Sequence, residues 1–245
     1  MGTIYLVRHG QASFGSANYD QLSELGFEQV RLLGQWFANT RQGFHRVIMG
    51  GMQRHRQSAD TCLAELPKTL LQETEWRTDT DFAEFDHRQV LQCHCPEFGD
   101  AEAFKRLLAQ SPQPQLAFRN LFEQAMLRWM SGAHGDDYVE SWPQFRQRCV
   151  DALERVAAQA DAAQGAAGAD APSQASIVFT SGGVIAALTQ HLLGLPDQQV
   201  VTLNWSLANG AVTRLRHTPG QISLSSLNNY AHLEWLGEAG AITYI

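Results

Sequence analysis

Thr3-Ile4-Tyr5-Leu6-Val7 is an apolar run, rich in β-branched and aromatic residues, that stops at Arg8-His9-Gly10. Such a run, with no turn residue inside it, reads as a buried strand emptying into a loop, with polar residues appearing where the strand ends. Beyond it the period changes. Leu25, Gln29, Leu32, Leu33, Trp36 and Phe37 fall on one side of a 3.6-residue helix, with Ser23 available as its N-cap. The alternation recurs. His45 to Met49 holds a Val-Ile strand core, Gly50-Gly51 breaks it, and Gln53 to Leu66 is helix-permissive until Pro67. Ser176 to Thr180, then Gly182-Gly183, then Val184 to Leu193 form a third unit. Three such units predict an α/β fold, a three-layer α/β/α arrangement around a mostly parallel sheet.

The remaining segments fit around that frame. Thr69 to Leu71 is a candidate further strand. Between Glu84 and Trp142 the pattern is helical (Glu102 to Leu108, Leu116 to Met130), which predicts a helical cap inserted at about 85–143 over the sheet's carboxyl edge. Gln144 to Ala163 reads as one long helix, followed by an Ala, Gly, Gln and Asp stretch in which 165–174 is expected to be a mobile surface loop. Val200-Thr202, Ala211-Leu215 and Ile222-Leu224 are strand-like, punctuated by Asn209-Gly210 and Pro219-Gly220, and are expected to finish the sheet in antiparallel fashion. The whole reads as a single domain over 1–245.

Composition narrows the function. The chain has 245 residues, 44% hydrophobic and 18% charged, as in an ordinary soluble globular protein. A formal charge of −7 argues against nucleic-acid binding, which needs a broad positive face, so any anion site must be local. Cys62, Cys93, Cys95 and Cys149 follow no signal-peptide pattern and read as reduced thiols, so a cytoplasmic setting is expected. Cys93-His94-Cys95 lacks a second ligand pair at zinc spacing and is assigned to cap packing or surface thiols; no metal or other cofactor is expected. Ser173 to Pro196 has no charged residue, but Thr180-Ser181-Gly182-Gly183 interrupts it, which suits a buried strand, turn and core helix better than a membrane span.

Two strand ends carry groups an anion would use, and in open α/β sheets ligands bind outside the carboxyl ends of the strands. At Arg8-His9-Gly10 the guanidinium offers a fork for phosphate oxygens, the imidazole a nucleophile, and the glycine close backbone approach. In isolation this is also what a surface turn with a basic pair looks like. After Gly50-Gly51, Arg54 stands in the first turn of a helix, where free N–H groups attract anions, while Arg56 reads as part of a solvated face. Glu84 lies in an acidic loop with Asp79, Asp81 and Asp86, and its spacing alone fits a surface carboxylate as well as a catalytic one.

Together these segments resemble the histidine phosphatase superfamily, the phosphoglycerate-mutase-like fold. Leu6-Val7-Arg8-His9-Gly10-Gln11-Ala12 is similar to its opening signature, and Leu22 to Gln29 to its next block. Met52 to Ala59, with Arg54, Gln57, Ser58 and Ala59 aligned, resembles its second arginine motif; Phe82-Ala83-Glu84-Phe85-Asp86 resembles its acidic motif and Val178 to Leu188 its glycine motif. The resemblance covers nearly the whole chain, the cap least. It implies a phosphatase acting on phosphomonoesters, small-molecule or protein, through a phosphohistidine on His9. Arg8 and Arg54 would clamp the phosphoryl group, with Ser181, Gly182 and Gln11 also at the phosphate, and Glu84 would protonate the leaving alcohol.

The chain departs from the pattern in places. Ser181 stands where the family carries a histidine directly before Gly-Gly, losing a donor and a charge. Three accounts follow: a slower phosphatase, replacement by another histidine such as His55, or a catalytically degenerate protein that only binds phosphorylated ligands or partners. Gly50-Gly51 replaces a Ser-Pro, and His87 stands at a common glycine. Gln11 and Phe14-Gly15-Ser16 lack the Glu and Trp-Asn of the mutase branch, which disfavours a phosphoglycerate mutase. Trp129, Trp142, Phe98 and Phe104 are candidates to line a pocket for an apolar or aromatic ester, against a core reading.

Overall fold

Strand β1 (Gly2–Arg8) pairs in parallel with β4 (Ala175–Thr180), so that Arg8 lies opposite Thr180 and both strands end together. The computed structural model describes residues 1–13, 20–71, 76–167, 174–238 and 240–244. On the far side of β4 lie β2 (Arg46–Met49) and the two-residue β3 (Arg77–Thr78), both parallel. On the far side of β1 come β5 (Val212–Thr218) and β6 (Gln221–Asn229), both antiparallel to their neighbours, giving the order β3-β2-β4-β1-β5-β6.

The pleat sends alternate side chains to two cores. Tyr5, Val7, Val47, Met49, Ile177 and Phe179 pack under helices α1 (Glu24–Asn39) and α2 (Gln53–Ala64). Ile4, Leu6, Ile48 and Val178 pack under α6 (Trp142–Ala167) and α7 (Gly182–Leu193). The expected three layers and mixed sheet are therefore present. Helix α7 is the uncharged segment of the sequence; Gly182 through Gln190 are all buried in the domain, and no described helix is long and apolar enough to cross a membrane.

Local signals hold where they are strong. Ser23 caps α1 by accepting from Gly26 N. The buried face of α1, however, is Gly26, Gln29, Val30, Leu33, Gly34 and Phe37, while Trp36 is exposed. Two glycines on that face let α1 sit close: a Cβ at Gly34 would stand 2.0 Å from the Cys62 carbonyl oxygen of α2.

Three expectations are corrected. Val200-Thr202 is not a strand but part of α8 (Asp197–Ser206), where Pro196 and Asp197 start a helix whose Val200 and Val201 are buried. A three-residue β-branched run does not override that start and that packing. Lys68–Leu70 is a 3-10 turn after Pro67, and Leu71 touches the sheet through one bridge to Phe44. Helix α6 runs on to Ala167, so the expected loop at 165–174 begins later; 168–173, like Phe14-Gly15-Ser16, lies outside the described residues.

The cap consists of α3 (His87–His94), α4 (Ala101–Ala109) and α5 (Pro114–Met130), with Asp86 and Asp100 as N-caps of the first two. It is anchored by an aromatic knot in which Trp129 meets Phe85, Trp142 and Phe145 at 4.9, 5.2 and 5.6 Å between ring centroids. Trp129 and Trp142 are thus core, not pocket lining. Cys93 and Cys95 contact the Asp137 carbonyl and Glu97, and among the described residues no His, Cys, Asp or Glu group is arranged for a metal.

Candidate active site

His9 stands where β1 ends, its backbone N–H donating to the Thr180 carbonyl at 2.9 Å and its carbonyl accepting from Gly210 N at 3.1 Å. Its Nδ1 lies 2.7 Å from the Gly10 carbonyl oxygen. The carbonyl only accepts, so the imidazole proton resides on Nδ1 and Nε2 presents its lone pair. Burial pushes the His9 pKa well below the usual histidine value, and Arg54, Arg8 and His55 push the same way. The ring is neutral at pH 7, as a nucleophile must be. Gly10 is required by close approach: a Cβ there would stand 2.1 Å from the Gly26 carbonyl oxygen, and one on Gly26 equally close to that of Gln11. The signature loop and the first turn of α1 are packed backbone against backbone.

Both arginines are held by fixed acceptors. Arg8 Nη1 donates to the Leu207 carbonyl and, at 2.8 Å, to that of Tyr244. Arg54, 4% exposed, donates from Nη1 to Asp20 Oδ1 at 2.8 Å. Asp20 also accepts from Gln53 N at 2.9 Å, serving the N-terminus of α2, whose N-cap residue Met52 has no side chain to do so. Ser58, one turn along α2, accepts from Gly10 N and ties the helix to the loop.

Glu84 sits against the start of α7. Its Oε2 accepts from Gly183 N at 3.0 Å and its Oε1 from Phe85 N at 3.2 Å. A Cβ on Gly183 would lie 2.2 Å from Glu84 Oε1, and one on Gly182 3.3 Å from Arg8 Nε. The Gly-Gly pair is what admits both side chains. Burial raises the Glu84 pKa above the usual carboxylate range, against the opposing pull of Gly183 N–H, Arg54, Phe85 N–H and Arg8. A carboxyl whose pKa is raised holds its proton to higher pH than an ordinary carboxylate, which suits a proton donor. His87, at the start of α3, is kept neutral mainly by burial and by Arg54.

Arg8, His9, Arg54 and Glu84 line one cavity of about 830 Å³ between the sheet end and the cap. Phe98 and Phe104 line it as well. Other expected site residues lie elsewhere. Ser181 is fully buried, and its Oγ is 2.7 Å from His55 Nε2. His55 is also fully buried, its ring 5.8 Å from that of His9, and burial and then Arg54 push its pKa down to about 3. Gln11 turns its side chain to Ser23, whose Oγ donates to Oε1 at 2.8 Å, and is not among the residues lining the cavity. Asp20, Asn204 and Tyr244 do line it. Only tertiary packing brings them there, Asn204 from α8 and Asp20 and Tyr244 from loops; Asp20 carries no local motif that would have marked it.

Residues 4–230 match the pattern that defines the histidine phosphatase superfamily (branch 1). Over 67 residues the chain is 39% identical to a protein described as the mitochondrial serine/threonine-protein phosphatase Pgam5 of Caenorhabditis briggsae, a stretch covering 27% of this chain and 23% of that one. The chain thus matches about a quarter of that relative's length. Among solved structures, a phosphoglycerate mutase of Bacillus anthracis shares the fold with a TM-score of 0.64 at 15% identity, covering 97% of both chains. A phosphoserine phosphatase of Entamoeba histolytica does so with 0.63 at 15% identity, covering 95% of this chain and 100% of that one. A mycobacterial glucosyl-3-phosphoglycerate phosphatase does so with 0.60 at 23% identity, covering 93% and 99%.

Proposed function

The chain belongs to the histidine phosphatase superfamily, and from that premise we propose that it hydrolyses phosphomonoesters through a phosphohistidine on His9. The observation that carries this reading is the His9 imidazole itself: neutral, with Nδ1 engaged by Gly10 and Nε2 free, in one cavity with Arg8, Arg54 and a raised-pKa carboxyl, Glu84.

In the first step the Nε2 lone pair attacks phosphorus as the bond to the ester oxygen breaks, and the Glu84 carboxyl gives its proton to the departing alkoxide. In the second, the Glu84 carboxylate takes a proton from water, the oxygen of that water attacks phosphorus, and the P–N bond breaks to release phosphate and restore Nε2. Arg8 and Arg54 neutralise the phosphoryl oxygens throughout, which matters because phosphoryl transfer is catalysed mainly by positioning and charge stabilisation. Backbone and carboxylate acceptors already hold both guanidinium groups, so little reorganisation is needed when the phosphoryl group arrives.

A second reading, a phosphate-binding protein without turnover, draws on the engagement of Ser181 with His55. Steady-state hydrolysis of p-nitrophenyl phosphate, together with trapping of phosphoenzyme by quenching into alkaline detergent, separates the two. Turnover with an acid-labile phosphoenzyme is expected. Saturable phosphate binding with neither would leave the binding reading.

A further inference from the structure

Away from His9 the cavity changes character. Phe98 meets Phe104 at 4.9 Å between ring centroids, Phe104 meets Phe118 at 6.2 Å, Phe118 meets Phe122 at 6.4 Å, and Phe122 meets Trp205 at 5.3 Å. All five rings line the cavity that holds His9 and Glu84. They form one continuous wall, from the turn after α3 through α4 and α5 to α8. Phe118 and Phe122, one helical turn apart, share a face of α5, while Met126 and Trp129 further along go into the core. None of the five is fully buried in the domain. All five border a concave space of about 830 Å³, the size of site that takes a drug-sized molecule.

The occupant of that wall is dictated by its neighbour. A phosphoryl group held by Arg8 and Arg54 within reach of His9 fills one corner, and the ester oxygen must lead away from it past Glu84. We propose that the leaving alcohol of the substrate is a bulky apolar group that lies along the Phe98–Trp205 wall, making the enzyme selective for phosphate monoesters of large hydrophobic alcohols. This rests on the phosphatase reading and adds the chemistry of its substrate. Apolar walls reward apolar surface removed from water, whereas a sugar or hydroxy-acid leaving group would surrender its hydrogen bonds to water along a wall of rings whose one hydrogen-bonding group is the buried indole N–H of Trp205.

The test is a homologous series of linear alkyl phosphates from ethyl to octyl, in which leaving-group acidity is nearly constant, with glycerol 3-phosphate set against propyl phosphate as polar control. The expected result is a kcat/KM that rises about fourfold per methylene until the wall is covered. Propyl phosphate should also exceed glycerol 3-phosphate by about tenfold or more. Phe122→Ala and, separately, Phe104→Ala should each lower the octyl-to-ethyl ratio by about tenfold, a ratio that the fraction of folded protein does not affect. A flat series, or a preference for glycerol 3-phosphate, overturns the substrate class and leaves the phosphatase reading standing. If no ester is hydrolysed, the phosphatase reading fails, and calorimetry with octyl phosphate and inorganic phosphate decides the wall. Binding of octyl phosphate about 100-fold tighter or more sustains it, and equal binding overturns it.

Discussion

The corner where β1 and β4 end and the cap that faces it are built by opposite means. In the corner every reactive side chain is held by a backbone or charged partner: His9 by the Gly10 carbonyl, Arg8 by those of Leu207 and Tyr244, Arg54 by Asp20, Glu84 by Gly183 N–H. Across from it the cavity wall is a run of rings in mutual contact, edge to face at Phe98–Phe104 and Phe104–Phe118. Directional bonds preorganise charge for a reaction, while ring packing shapes a surface without fixing any single atom. Changes in the corner should therefore act on the rate with every substrate, and changes in the wall on the choice among substrates.

The sharpest way to break this division is His9→Ala. Removing the nucleophile should lower kcat for p-nitrophenyl phosphate by about 10⁴-fold or more and abolish trapped phosphoenzyme. A variant that keeps even a tenth of the activity would move the chemistry out of the corner. Glu84→Gln should cost about 10²- to 10⁴-fold with alkyl phosphates, whose alkoxides need a proton, and less with p-nitrophenyl phosphate, whose leaving group does not.

The pH profile carries the same signature. Glu84 must be protonated to act, and its pKa is raised, so alkyl phosphate hydrolysis should decline as pH rises through a value above the ordinary carboxylate range. His9 must be neutral and its pKa is lowered, so the acidic decline should set in below the ordinary histidine range. In Glu84→Gln the alkaline limb should disappear while the acidic limb stays.

Smaller effects test how the corner is closed behind His9. Ser181 follows β4, and the His55 imidazole comes from α2 to meet it, with Nε2 2.7 Å from the Ser181 Oγ. Gly50 leaves room for that ring, because a Cβ there would lie 2.7 Å from His55 Nδ1 and 2.3 Å from the Phe82 carbonyl oxygen. Ser181→His alone should therefore overpack a closed space and cost about 1–3 kcal/mol in urea unfolding, with no gain in rate. His55→Ala combined with Ser181→His should recover that stability and raise kcat above wild type by about tenfold or more. A gain from Ser181→His alone would show that the space behind His9 is open.

How much of this was legible in the sequence follows the same division. Strand ends, glycine turns and the N-cap at Ser23 are local, and Arg8, His9, Arg54 and Glu84 sit in motifs a few residues long, so each stands out as a candidate without coordinates. Asp20 was not, because its role exists only where its loop meets the first turn of α2. Helix α8 was misread because three β-branched residues say less than the packing of Val200 and Val201. In the cap, aromatic residues at helical spacing serve core and cavity alike. Only the fold separates Trp129 and Trp142, sealed in the knot with Phe85, from Phe98 and Phe104, which line the cavity.

Gln11 marks the edge of the corner and carries the smallest expected effect. Its motif position suggests a phosphate contact, yet its amide oxygen accepts from Ser23 Oγ while its backbone N–H donates to Gln29 Oε1 at 2.9 Å. Both bonds run toward α1 and away from the cavity. Gln11→Ala removes the first and keeps the second, so kcat/KM should fall by less than about threefold and urea stability by about 0.5–1.5 kcal/mol, the worth of one partly buried hydrogen bond. Arg54→Ala, measured beside it, should cost far more in rate than in stability. A hundredfold loss in Gln11→Ala would mean that the amide leaves Ser23 when the phosphoryl group binds, and that the corner is finished by its substrate.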